Sequence, residues 1–140
     1  SAFIPETYIQ NESDKIEIYK KIASIRNQQD MVEIEEELED RFGQIPEPVQ
    51  NLIIIAYIKA LAQKIGVIAI TETKAYAKLD FDDVKRLEPG WIKEIVRLYG
   101  SKIYIDAGLN PSIRFYYHRY PKRHKEISEF LEKINSFIQN

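Results

Sequence analysis

The sequence predicts an α+β fold in the order αααββαββα: helices first, then two antiparallel strand-pair-plus-helix units. Three observations lead there. Up to about Ile65 the apolar residues recur every three or four positions, the period of a helix with one buried face. From Gly66 the period drops to two, the spacing of a half-buried strand, and each strand pair is followed by a return to helical spacing. Helices first and strands later favour antiparallel hairpins covered by helices on one face. The 140 residues make one domain, or a small pair sharing a core, and are read as a single domain with a helical part over about 10–65 and an α+β part over about 66–140.

Each element has its own signal. Phe3-Ile4-Pro5 and Tyr8-Ile9 read as an extended lead-in, because proline holds the residue before it extended. Ser13 or Asp14 caps a first helix to about Arg26, with Ile16, Tyr19, Ile22 and Ala23 inward. After a break at Asn27-Gln28-Gln29, Asp30 and Glu33 form a capping box, and Gly43 supplies the positive-φ residue that ends the second helix. Ile45-Pro46-Glu47-Pro48 is a rigid corner, and Pro48 sits in the first turn of a third helix that runs to about Ile65 and is apolar nearly all round. Val67–Ile70 and Ala75–Phe81 form the first strand pair, turning at Glu72-Thr73-Lys74, with Ala75, Ala77, Leu79 and Phe81 on one face. A helical segment from Asp82 is interrupted at Glu88-Pro89-Gly90 and resumes from Trp91 to Tyr99. Lys102–Asp106 and Ile113–Tyr117 form the second pair, and the closing helix carries Ile127, Phe130, Leu131, Ile134, Phe137 and Ile138 at spacings of three and four.

Composition bounds the function. Hydrophobic residues at 44% with 30% charged describe a globular chain, and a net charge of −2 provides no overall field to recruit DNA or a membrane. The absence of cysteine excludes disulfides and thiolate metal sites and agrees with a cytoplasmic location. No secretory leader opens the chain, and the longest apolar run, Leu52 to Ile58, is far short of the roughly 20 residues of a membrane span. A start at Ser1 without Met suggests a fragment of a longer protein.

No phosphate-binding Gly-x-x-x-x-Gly-Lys loop, dinucleotide Gly-x-Gly-x-x-Gly or nucleophile elbow occurs, so no catalytic residue and no cofactor is expected. His118 and His124 are the only histidines. They lack a third ligand and lie in a basic run that would repel a cation, so no metal site is expected either.

Two charge features remain. Six of the eight residues from Glu33 to Asp40 are acidic, and the run continues into the last helical turn, where the negative end of the helix dipole disfavours carboxylates. At 100° per residue Glu33, Glu36, Glu37 and Asp40 share the face opposite Ile34 and Leu38. A local rule broken without a folding gain marks a place to look for function. The second feature is basic: Arg114, His118, Arg119, Lys122, Arg123, His124 and Lys125 surround Tyr116, Tyr117 and Tyr120. Cations interleaved with aromatics suit phosphate contact and base stacking, so Arg114, Arg119, Lys122 and Arg123 are candidate nucleic-acid contacts.

Ile4-Pro5-Glu6, Tyr8-Ile9, Tyr19-Lys20-Lys21-Ile22-Ala23, Glu37-Leu38-Glu39-Asp40-Arg41-Phe42-Gly43 and Pro46-Glu47-Pro48-Val49 follow one another in the order and spacing of a known family. The chain resembles the C-terminal domain of the bacterial transcription-repair coupling factors (the Mfd family). The match is specific in the Asp-Arg-Phe-Gly tetrad and the two prolines, and covers roughly Ile4 to Gly66. The resemblance implies a regulatory C-terminal domain without motor activity, in a parent that is an ATP-driven DNA translocase acting on stalled RNA polymerase. Such a domain docks within its own polypeptide on the UvrB-like module, masks the surface that binds UvrA and holds the translocase repressed. The acidic positions of the tetrad helix that meet the basic docking surface fall on Glu37 and Asp40, while Glu33 and Glu36 share the face by geometry. The alternative is a module contacting nucleic acid or RNA polymerase through residues 114–125. Weak or no DNA binding by the isolated domain and no membrane contact are expected.

Overall fold

The computed structural model describes residues 1–138, and the chain divides into two compact units, the first Ser1–Ala60 and the second beginning at Leu61. In the first unit a turn at Pro5, closed by the Tyr8 and Ile9 amides donating to the Pro5 carbonyl at 3.0 and 3.2 Å, replaces the expected extended lead-in. Helix α1 spans Glu12–Ala23, α2 Gln28–Phe42 and α3 Glu47–Lys64. Both early caps are asparagines. Asn11 accepts from the Asp14 amide and Asn27 from the Asp30 amide, the three-residue reach of an N-cap side chain. The predicted caps are therefore corrected: Ser13 and Asp14 lie inside the first turn, and Gln28-Gln29 begin α2 instead of breaking it. Asp30 reaches back to the Arg26 amide at 2.9 Å, so the capping carboxylate is Asp30 rather than Glu33.

The buried stripe of α1 is Ile18 and Ile22, followed by Ile25. Ile16 and Ala23, placed inward by periodicity, are exposed. Tyr19 has its ring at the surface, and its hydroxyl accepts from the Ile4 amide at 2.9 Å. These isoleucines meet Ile34 and Leu38 of α2 and Val49, Ile53 and Tyr57 of α3 in a core closed by Ile4, Ile9 and Ile45.

The second unit is built on one four-stranded antiparallel sheet. Strands β1 (Val67–Glu72), β2 (Tyr76–Phe81), β3 (Ile103–Asp106) and β4 (Ser112–Tyr116) lie in the order β1-β2-β4-β3, so the two hairpins join through β2 and β4. Between the hairpins runs α4 (Pro89–Tyr99), and α5 (Arg123–Ile138) closes the chain. Pro89 and Gly90 form the first turn of α4, a correction to the predicted interruption: proline at the first helical position forfeits no bond, because that N–H has no partner inside the helix.

One face of the sheet is dry. Ala77, Leu79 and Phe81 of β2 and Ile113 and Phe115 of β4 are buried beneath Trp91 and Ile95 of α4 and Ile127, Phe130, Leu131 and Ile134 of α5. Phe115 stacks on Phe130 with ring centres 4.6 Å apart, and Tyr99 meets both rings edge-on. The buried Asn135 is satisfied by donating to the carbonyls of Leu131 and Leu61. Fold class and element order agree with the αααββαββα expectation.

Candidate protein-interaction surface

The acidic face of α2 is positioned by the residues that flank it. Arg41, in the last turn, sends Nη1 to Glu37 Oε2 at 2.7 Å and to Glu17 Oε1 at 3.1 Å, and Nη2 to Asp14 Oδ1 at 3.4 Å. Lys21 of α1 meets the same Glu37 carboxylate at 2.8 Å and Glu17 at 3.7 Å. Hydrogen bonds from Lys21 and then Arg41 hold the Glu37 carboxyl below its ordinary range. Two cations and three carboxylates therefore clamp α1 to α2, and Arg41 lays its guanidinium over Phe42, 4.8 Å from the ring centre.

The end of α2 is fixed by two further residues. Gly43 takes φ 88° and ψ −164°, a conformation essentially reserved for glycine, while its amide closes on the Glu39 carbonyl at 3.1 Å. Tyr8 donates its hydroxyl to the Gly43 carbonyl at 2.9 Å, an acceptor outside the helix ladder, and lies 3.3 Å from the Leu38 carbonyl, while its ring packs at 5.8 Å from Phe42. Burial, then the nearby Glu39, raises the Tyr8 phenol above its ordinary range. Arg41, Phe42 and Gly43 thus tie down the end of the helix, leaving Asp40 of the tetrad pointing to solvent.

The four predicted interaction residues are not equivalent. Glu33, Glu36 and Asp40 are exposed, whereas Glu37 is half-buried against α1 and engaged by Lys21 and Arg41. This corrects the expectation that Glu37 stands on the freely exposed side. Among the described residues Glu36 and Asp40 have no cation within ion-pair distance. Val32, one turn before Glu36, leaves 42% of its surface exposed on the same side of the helix. The contributions of Lys21, Glu17 and Asp14 were not legible in the sequence, since nothing in the spacing of α1 says which flank meets α2.

The basic segment does not form one patch. Arg114 sits on β4. Arg123 donates to Glu72 Oε1 at 2.8 Å, and His124 Nε2 lies 3.1 Å from Glu72 Oε2, so both turn toward the end of β1. Arg119 and Lys122 lie on the exposed connection before α5, where Glu126 accepts from the amides of His118 and Arg119 at 2.6 and 2.8 Å. Tyr117 packs beside this cluster, and burial, then the Glu72 charge, pushes its phenol up to about 12. Among the described residues no group of three or more His, Cys, Asp or Glu is placed to hold a metal ion, and no helix is long and apolar enough to cross a membrane.

Tyr8, Glu37, Arg41, Phe42 and Gly43 thus act together at one helix end, and the same stretch lies within residues 1–92, which match the family model described as the TRCF domain. The chain belongs to this family. A transcription-repair-coupling factor of Borreliella burgdorferi is 30% identical over 140 residues, covering 100% of this chain and 12% of that protein. Its Staphylococcus haemolyticus counterpart is 41% identical over 71 residues, covering 51% of this chain and 6% of that protein. A crystal structure of the C-terminal domain of a transcription-repair coupling factor superposes with a TM-score of 0.82 at 29% identity, covering 97% of this chain and 88% of that one. The chain therefore corresponds to the C-terminal domain of a TRCF protein and spans about an eighth, or less, of these full-length relatives.

Proposed function

We propose that this domain is a non-catalytic regulatory element that docks on the UvrB-like module of its own polypeptide through the acidic face of α2. Docking masks the module's UvrA-binding surface and holds the ATP-driven translocase repressed until RNA polymerase is engaged. The observation that carries this reading is the pair of exposed carboxylates, Glu36 and Asp40, which have no paired cation among the described residues, on a helix whose end is clamped by Arg41, Phe42 and Gly43. A fixed helix presents its charges without first having to order them, so little entropy is lost on contact.

Glu33 widens the face. Glu37, already shared by Lys21 and Arg41, positions the others and adds its charge at the margin. Val32 offers the small apolar contact that exposed ion pairs alone do not supply. Each such pair is worth roughly 0.2–1 kcal/mol, so several are needed, and tethering raises their effective concentration. The same weakness allows a competing partner to release the domain. A cytoplasmic setting suits these partners.

The reading is tested by titrating the 140-residue chain against the isolated UvrB-like module at increasing salt. Binding that weakens steadily as salt rises supports an acidic face on a basic one. Binding insensitive to salt, or none at low salt, overturns it.

A further inference from the structure

The face of the sheet turned away from α4 and α5 carries an ordered set of side chains. Strand register arranges them in rows. Thr71, Lys78, Arg114 and Tyr104 are successive partners across β1, β2, β4 and β3. Beside this row lies the Tyr76 and Tyr116 pair, with ring centres 5.2 Å apart, and on its other side the row that contains Asp80 and Asp106.

The central row breaks a rule of sheet pairing. Lys78 and Arg114 stand directly opposite each other, an arrangement that costs stability for like charges. Among the described residues Arg114 has no carboxylate within ion-pair distance. Its guanidinium lies instead 5.0 Å from the centre of Tyr76 and 5.6 Å from that of Tyr104. Lys78 is paired, among the described residues, with Asp80 alone, at 3.8 Å. Tyr104 leaves 58% of its surface in solvent. Ordinary strand packing accounts for the half-buried Tyr76 and Tyr116 pair, but not for two opposed cations beside it and the exposed Tyr104 ring.

We infer that this face binds single-stranded RNA. Unstacked bases lie on Tyr76, Tyr116 and Tyr104, whose rings accept any base because every base has a π-face. The phosphate between them meets Arg114 and Lys78, relieving their mutual repulsion. The Asp80 and Asp106 carboxylates would repel phosphate, yet they accept a hydrogen bond from a ribose 2′-hydroxyl, the group that separates RNA from DNA. A duplex keeps its bases stacked inside and cannot reach the rings. An acidic peptide gains the two cations but meets the carboxylate row. The inference is independent of the α2 face, which lies in the other unit, so either can fail alone.

The test is fluorescence anisotropy of a labelled oligouridylate 8-mer with the 140-residue chain at low salt. Saturable binding is expected, weaker for oligodeoxyuridylate and weaker again for a duplex. Tyr76→Ala and Tyr104→Ala each weaken binding about tenfold, while Tyr76→Phe and Tyr104→Phe retain it, since the ring and not the hydroxyl carries the stacking. Arg114→Ala weakens binding and flattens its salt dependence by roughly one phosphate contact. Arg97→Ala, on α4, leaves it unchanged. Absence of saturable binding, equal binding of oligodeoxyuridylate or duplex, competition by a polyglutamate peptide, or equal loss in the Phe and Ala variants would each overturn the inference.

Discussion

Arg41 Nη1 donates to Glu37 Oε2 at 2.7 Å, one turn earlier on the same helix, and Lys21 closes on that carboxylate from α1 at 2.8 Å. The acidic run of α2 is therefore divided in function. One carboxylate is held inside the domain and fixes the helix, while its neighbours Glu36 and Asp40 stay exposed, with no cation at ion-pair distance among the described residues.

Charge reversal separates the two groups. Glu37→Lys places three cations together at the α1–α2 contact, and the thermal midpoint falls by roughly 2–4 °C. Glu36→Lys and Asp40→Lys leave the midpoint within about 1 °C, because exposed positions away from such contacts change stability little. Differential scanning calorimetry of the three variants checks this. Equal midpoints for all three would show the clamp to be idle.

The end of α2 depends on one backbone conformation. No atom lies within 4 Å of a methyl group added at Gly43, so space is not the obstacle. Its φ of 88° with ψ of −164° is, and Gly43→Ala costs about 1–3 kcal/mol in urea unfolding. A smaller loss would mean that the turn relaxes without the glycine.

Much of this was readable from the sequence, and the failures have physical causes. Alternation in Ala77, Leu79 and Phe81 identified β2 and its buried face, because a strand has only two faces to choose between. The face of α1 was misread because Ile16, Tyr19, Ile18 and Ile22 support two overlapping stripes, and only packing chooses between them. The caps were misplaced because Ser13 and Asp14 look like N-caps as much as Asn11 does. Pro89-Gly90 reads as a breaker unless the helix begins there. At the candidate sites, the acidic face of α2 followed from helical spacing alone. That Lys21 reaches Glu37, or that Lys78 stands beside Arg114, depends on helix packing and strand order, which local periodicity does not encode.

Tyr117 places a phenol oxygen in the interior without a hydrogen-bond partner among the described residues. Its folded pKa is raised to about 12 from 10.0, so the neutral form contributes stability that is complete below pH 10 and is lost as pH rises through about 12. Tyr117→Phe removes both the unpaired hydroxyl and the titration. The variant is as stable as the parent at pH 7, or more so, and loses less of its stability between pH 10 and 12. Urea midpoints across that range decide it. A steeper alkaline loss in the variant would contradict the assignment.

Phe130 is fully buried between Phe115 and Tyr99. Phe130→Ala leaves a cavity at the sheet–helix contact and costs about 3–5 kcal/mol. Chemical denaturation measures this directly. A loss under about 1 kcal/mol would mean that the aromatic cluster collapses around the gap.

The central claim is tested most directly by UvrA binding to the full-length polypeptide carrying Glu36→Lys and Asp40→Lys together. Both residues are exposed and, among the described residues, without a paired cation, so the fold is retained while the face proposed to meet the UvrB-like module changes sign. UvrA affinity rises in the double variant. It returns to the parental value when the basic residues of the docking surface are reversed as well, a coupling that neither change alone produces. An unchanged UvrA affinity in a normally folded double variant would show that this face does not hold the protein closed.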